Sequence, residues 1–211
     1  MLSVNNIYKT FNHRIVLENI TFSQDKGETL VFMGKNGVGK TTLFRIIAGL
    51  MSYNKGSIFL NGNNLLNNRP INRKRLFYLG HAPGMYYAFS AFENLKLAMR
   101  LRGLDSEDSF IYDVLDQFQL SEQKNDPIGI YSEGMLQRLK FVLAELIDWD
   151  LLLIDEPFSS LDAYGKKIVN EKINNWKSQD KTISIILHDE NTAKNFADRI
   201  LKIRSGILEN N

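Results

Sequence analysis

The chain contains no cysteine in its 211 residues. That excludes disulfides and thiolate-held metals and permits a reducing compartment such as the cytoplasm. No sign of charge dominates: 26 Lys and Arg stand against 24 Asp and Glu, leaving a net charge of +2. There is therefore no general electrostatic case for a nucleic-acid partner. No apolar run approaches the ~20 residues that span a bilayer as a helix, so any membrane work falls to other chains. The opening run Met1-Leu2-Ser3-Val4-Asn5-Asn6 lacks the basic and apolar regions of a secretory signal. Long repeats, low-complexity linkers and heptad runs are also missing. What is present is the composition of an ordinary globule, 44% hydrophobic and 24% charged, long enough for one domain with a subdomain.

The sharpest positive feature is the run Gly34-Lys35-Asn36-Gly37-Val38-Gly39-Lys40-Thr41-Thr42, which fits the phosphate-binding pattern G-x-x-x-x-G-K-[ST]. Glycines let backbone N–H groups turn inward around a polyphosphate. Lys40 then reaches the β- and γ-phosphates, and the Thr41 hydroxyl can ligate Mg²⁺. A helix starting near Thr41 points its positive end at the same phosphates. The flanks agree: Glu28–Met33 reads as a buried strand and Leu43–Leu50 as a helix with a thick apolar face.

The rest alternates between strand and helix signals. Ile15-Val16-Leu17 and Ile20-Thr21-Phe22 look like strands joined by short turns, Ser57–Leu60 is a short strand closed by Asn61-Gly62, and Leu76–Leu79 is another. A helical pattern runs from Ala91 to about Leu120 and again from Glu133 to Ile147. Leu151–Ile154 and Ile183–Leu187 are short apolar runs that suit central strands of a parallel sheet. The expected fold is α/β, a P-loop core with an N-terminal β segment and a helical insert. One domain covers residues 1–211. Its helical subdomain spans about 82–131, followed by a helix over about 132–148.

The run Leu151-Leu152-Leu153-Ile154 ends in Asp155-Glu156. Acids at the carboxyl end of a central strand sit where open α/β sheets bind ligands. Beside a P-loop, Asp155 would hold Mg²⁺ directly or through water, and Glu156 would polarise the attacking water as general base. His188 ends the strand Ile183–Leu187, one strand–helix–strand crossover after Glu156. That places both residues at neighbouring strand ends. His13 sits in no motif.

Together these segments resemble the ATP-binding subunits of ABC transporters, in order and over nearly the whole chain. The resemblance implies an ATPase with ATP and Mg²⁺ as ligands. Its N-terminal part would be an antiparallel β subdomain, with Phe11 stacking on adenine. Gly34–Thr42 match the Walker A loop and Leu151–Glu156 Walker B. Ser159-Ser160-Leu161-Asp162 looks like the D-loop, and His188, followed by Asp189, like the switch histidine. Ala197-Asp198-Arg199-Ile200 and Gly206 are similar to the closing strands.

The signature segment reads Tyr131-Ser132-Glu133-Gly134-Met135, where the usual pattern is Leu-Ser-Gly-Gly-Gln. Ser132 and Gly134 match, and Gln137-Arg138 follow as in the family. Ser132 can cap a helix whose N-terminus faces an anion. Glu133 suits the helix dipole but repels phosphate unless turned away. The family places a glutamine, touching Mg²⁺ and the attacking water, where this chain has His81, an imidazole able to bind water or metal. Tyr78-Leu79-Gly80-His81 with Glu93-Asn94-Leu95 looks most like the haem-exporter ATP-binding subunits of cytochrome c maturation. Small drug and peptide exporters share related variants.

The resemblance further implies a head-to-tail dimer, of two copies or with a paralogous ATPase. Ser132, Gly134 and Asp162 of one member would meet the nucleotide of the other. It implies integral membrane transporter subunits as partners and a peripheral position on the cytoplasmic face. The aromatic run Met85–Phe92 reads either as a docking surface for such a subunit or as the insert's core. Arg69, Arg73, Lys74 and Arg75 read as a solvated face more than a lipid contact. A soluble ABC-type ATPase acting in assembly or regulation stays open, because these motifs report ATP chemistry and not cargo.

Overall fold

Three runs of five buried residues set the centre of the structure: β3 (Thr29–Met33), β7 (Leu151–Asp155) and β8 (Thr182–Ile186). Strands apolar on both faces are stable only between covering layers. The computed structural model describes residues 1–65 and 75–209. Arg69, Arg73 and Lys74 of the basic cluster lie outside the described residues, while Arg75 pairs with Asp150 at 2.6 Å.

The described chain divides into two compact units. The first comprises Met1–Tyr78, Trp149–Glu156 and Asn174–Asn211, the second Leu79–Asp148 and Pro157–Ile173. In the first, a four-stranded antiparallel sheet has the order β2-β1-β4-β5, from β1 (Leu2–Phe11), β2 (Arg14–Gln24), β4 (Lys55–Leu60) and β5 (Asn63–Asn64). A six-stranded sheet has the order β10-β9-β3-β8-β7-β6, adding β6 (Leu76–Leu79), β9 (Arg199–Arg204) and β10 (Ile207–Leu208). β3 lies parallel to β8 and β9, and β7 parallel to β8.

β1 and β2 form one long hairpin rather than short separate strands. Asn12 and His13 turn it with φ of 45° and 64°, the two left-handed residues a tight hairpin loop needs. Asn6 and Asn19 also take positive φ. Asn6 Nδ2 donates to Asn19 Oδ1 at 2.6 Å, so the two bulges face each other across the strands. Edge-to-face rings join the layers of this unit: Phe22 of β2 to Phe32 of β3, and Phe32 to Phe44 of α1 (Lys40–Ile47), each at 5.2 Å.

The second unit is helical: α2 (Ala91–Leu101), α3 (Asp108–Gln117), a 3₁₀ turn at Ile128–Ile130, α4 (Glu133–Leu146) and the first part of α5 (Ala163–Ser178). The expected continuous pattern from Ala91 to Leu120 is two helices. Gly103, at φ 75°, ends the first. Ser90 and Glu93 close a capping box on α2. Buried Asn94 takes the Tyr86 N–H at 2.7 Å and donates to the carbonyls of Tyr86, Phe89 and Ser90. The loop so held exposes Tyr86, Tyr87 and Phe89.

Candidate functional site

The loop between β3 and α1 turns on glycines at positive φ, and Gly39 shows why. Its φ is 109°, and a Cβ there would lie 2.6 Å from Leu17 Cδ2 and 2.9 Å from the Val16 carbonyl oxygen. Only glycine lets the loop pass β2 this closely and still start α1, where the Leu43 N–H bonds the Gly39 carbonyl at 2.8 Å. Asn36, Gly37, Gly39, Lys40, Thr41, Thr42 and Glu156 surround a cavity of about 170 Å³. Gly34, Lys35, Asn36 and Val38 border a wider depression that His188 and Lys202 also line.

Lys40 is buried, and its Nζ donates to the carbonyls of Gly34 at 2.8 Å and Lys35 at 3.0 Å. Desolvation lowers its pKa, while the carboxylates of Glu156 and Asp155 act in the opposite direction. The ammonium is thus folded onto its own loop, held by oxygens that a phosphate can replace.

β7 carries Asp155 to the end of the sheet, 1% exposed. The Tyr78 hydroxyl of neighbouring β6 donates to Asp155 Oδ2 at 3.1 Å. Burial, reinforced by the Asp155 charge, pushes the Tyr78 phenol up to about 12, with Arg45 of α1 acting against it. Tyr78 therefore keeps its proton and stays a donor. Glu156 follows with φ 55°, a left-handed backbone that non-glycine residues hold only where the fold enforces it. His188 Nε2 lies 2.7 Å from Glu156 Oε1. The local fold fixes that histidine: β8 ends just before it, and Asp189 just after it caps α6 (Glu190–Phe196) by accepting the Thr192 N–H at 2.6 Å. The first unit thus gathers the P-loop, Asp155, Glu156 and His188. Sequence reasoning missed Tyr78, whose only signal is an aromatic hydroxyl near a strand end.

Phe11 is exposed beside the hairpin turn, with Lys9 Nζ 4.7 Å from its ring centroid. The remaining residues singled out from the sequence belong to the second unit. Ser132 caps α4, its Oγ accepting the Met135 N–H at 3.2 Å. A Cβ on Gly134 would lie 2.9 Å from the Ser160 carbonyl oxygen. Glu133 Oε2 accepts the Ser160 hydroxyl at 2.7 Å, so this carboxylate has a partner. Asp162 Oδ1 accepts the Gly165 N–H at 2.7 Å, capping α5. Gly80 and His81 offer their carbonyls to Lys140 Nζ at 2.7 and 3.3 Å, and the His81 side chain is exposed.

Known proteins resemble this chain in sequence and fold. The family described as "ABC transporter" matches residues 17–159. The chain is 32% identical to the lantibiotic transport ATP-binding protein SrtF of Streptococcus pyogenes, over 99% of this chain and 90% of that protein. It is 30% identical to the cytochrome c biogenesis ATP-binding export protein CcmA of Vibrio vulnificus, over 98% of this chain and all of that protein. A solved ATP-binding subunit of an ABC transporter superposes with a TM-score of 0.90 at 29% identity, covering 100% of this chain and 88% of its own. The dimeric cassette MJ0796, solved in a post-hydrolysis state with ADP and Pi, also superposes at 0.90, over 100% of this chain and 97% of its own. At 21% identity that likeness bears on the fold alone. The antiparallel sheet, the mixed sheet with its P-loop and the helical unit are those of an ATP-binding cassette, and the chain belongs to the ABC transporter family as an ATP-binding, ATP-hydrolysing subunit.

Proposed function

We propose that this subunit works as one half of a head-to-tail ATPase dimer that powers separate membrane subunits in an exporter, with haem export for cytochrome c maturation as the narrower reading. The observation that carries the ATPase chemistry is the Glu156–His188 contact of 2.7 Å with Glu156 at the wall of the P-loop cavity. A carboxylate so placed takes a proton from water as the water oxygen bonds the γ-phosphorus and the bond to the bridging oxygen breaks, releasing ADP, and the imidazole fixes the carboxylate and faces the transferred γ-phosphoryl oxygens. Lys40 exchanges its loop carbonyls for phosphate oxygens. Phe11 offers an exposed ring face to adenine.

The donor set fits Mg²⁺. Thr41 and Asp155 supply hard oxygen ligands, and the Asp155 carboxylate is already oriented by Tyr78. Held there, the ion would neutralise charge on the transferred phosphate. Because Mg²⁺ prefers oxygen, we assign the exposed His81 imidazole to water rather than to the ion. In the dimer, the capped N-terminus of α4 at Ser132 and Gly134 gives N–H groups to the γ-phosphate on the other member, with Asp162 beside it. Closure on ATP then draws the membrane-facing surfaces together. The exposed aromatics Tyr86, Tyr87 and Phe89 support docking of an apolar segment from a membrane subunit. No helix among the described residues is long and apolar enough to cross a membrane, which accords with a peripheral place on the cytoplasmic face.

Replacing Glu156 by Gln keeps shape and hydrogen bonding but removes the base. Mg·ATP binding should persist while hydrolysis falls on the order of 100-fold or more; a fully active variant overturns the assignment. The same variant, captured with Mg·ATP from detergent-solubilised native membranes, tests the transport reading. Recovery of polytopic subunits with haem-handling proteins supports the narrower reading. Polytopic subunits of a peptide exporter redirect it toward the SrtF-like class, and soluble partners alone favour an assembly ATPase.

A further inference from the structure

The first turn of α4 places a carboxylate, Glu133, between the two residues that serve the neighbouring γ-phosphate, Ser132 and Gly134. A free anion there competes with the phosphate for the same N–H groups and repels it. The structure shows what restrains it: Glu133 Oε2 accepts the Ser160 hydroxyl at 2.7 Å. Ser160 is itself specially held. Its φ is 59°, in the left-handed region, and its carbonyl oxygen lies where a Cβ on Gly134 would come within 2.9 Å. The loop Ser159–Asp162 is thus fastened to the first turn of α4 by a backbone packed on Gly134 and a side-chain hydrogen bond to Glu133.

We propose that Ser160 is a positioning residue for ATP-driven association, its hydroxyl tethering the Glu133 carboxylate so that the α4 N-terminus stays open to the phosphate of the other member. This rests on the head-to-tail dimer reading. A chain with an uncharged residue at 133 has no need of the tether, and that separates an electrostatic role for Ser160 from a merely structural one.

The test uses the full chain in the Glu156→Gln background, which holds ATP without turnover. Light scattering reads the Mg·ATP concentration for half-maximal association, alone and with a co-expressed homologous ATPase, at low and high salt. Ser160→Ala should raise that concentration roughly tenfold, the scale of one hydrogen bond to a charged group. The shift should move with ionic strength, since screening weakens the freed charge. Adding Glu133→Gln to Ser160→Ala should restore the parent value, and Glu133→Gln alone should not weaken association. A Ser160→Ala protein that associates like its parent overturns the proposal. A double variant as weak as Ser160→Ala also overturns it, because the defect is then not the carboxylate's. A parent that never associates with Mg·ATP overturns the dimer reading, and the tether falls with it.

Discussion

Replacing Tyr78 by Phe removes one hydroxyl that touches both Arg45 and Asp155, the carboxylate proposed to hold Mg²⁺. The ring stays, packed against the core of the first unit, and only the hydroxyl that donates to Asp155 Oδ2 at 3.1 Å is lost. Hydrogen bonds to charged groups contribute about 1.5–3 kcal/mol, and their O–H···O⁻ lengths centre near 2.5–2.7 Å. The longer contact here belongs at or below the low end, about 1 kcal/mol. That corresponds to roughly fivefold in an equilibrium constant. Asp155 is 1% exposed, so water does not readily replace the lost donor. The carboxylate then has more freedom to turn from the orientation proposed to ligate Mg²⁺. The expected result is a Mg²⁺ concentration for half-maximal ATPase raised about fivefold, with turnover at saturating Mg²⁺ close to the parent. Titrating Mg²⁺ at fixed saturating ATP and following thermal unfolding without nucleotide gives both numbers. An unchanged Mg²⁺ dependence refutes the reasoning. If unfolding also shifts down by several degrees, Tyr78 supports the fold and not the ion.

Two further outcomes follow from the geometry. Gly39→Ala brings a Cβ to 2.6 Å from Leu17 and 2.9 Å from the Val16 carbonyl at φ 109°; the combined clash and strain should lower stability by about 2 kcal/mol or more, read as a lower denaturant midpoint, together with loss of ATP binding. An unshifted midpoint would mean the loop is not pressed against β2. Tyr78 and Tyr131 both have phenols pushed up to about 12, chiefly by burial, with Asp155 and Asp126 adding to it. Each then adds stability that is fully present below the usual phenol value of 10 and lost as pH rises through about 12. Denaturant midpoints should fall across that window more steeply in the parent than in Tyr78→Phe/Tyr131→Phe, and parallel curves would contradict it.

How much of this was legible in the sequence depended on how local each signal is. β3, β7 and β8 are buried on both faces, so β3 and β7 read as nearly continuous apolar runs and β8 as one broken by Ser184, and Gly34 after β3 and the acids at the end of β7 mark where the chain emerges. That is why the strand–loop–helix and the acidic strand end were found from residues alone. β1 was missed and β2 read as two pieces because Asn6 and Asn19 break the alternation of inward residues. Each break is repaired only by the bulge on the partner strand, a pairing invisible along either strand alone. Gly103 divides a helical pattern that apolar spacing alone carries on to Leu120. The contacts that tune the candidate site were out of reach for the same reason. Tyr78 meets Asp155 because β6 lies beside β7 in the sheet, and Ser160 meets Glu133 because a left-handed turn lays its loop on the first turn of α4. The groups that perform chemistry announce themselves by type and spacing, since phosphate and metal demand particular atoms in a particular order. The groups that hold them steady need only a hydroxyl at the right distance, which many residues can supply and only the fold selects. Tyr78 and Ser160 are therefore where substitution distinguishes this chain's own site from what the family motif alone predicts.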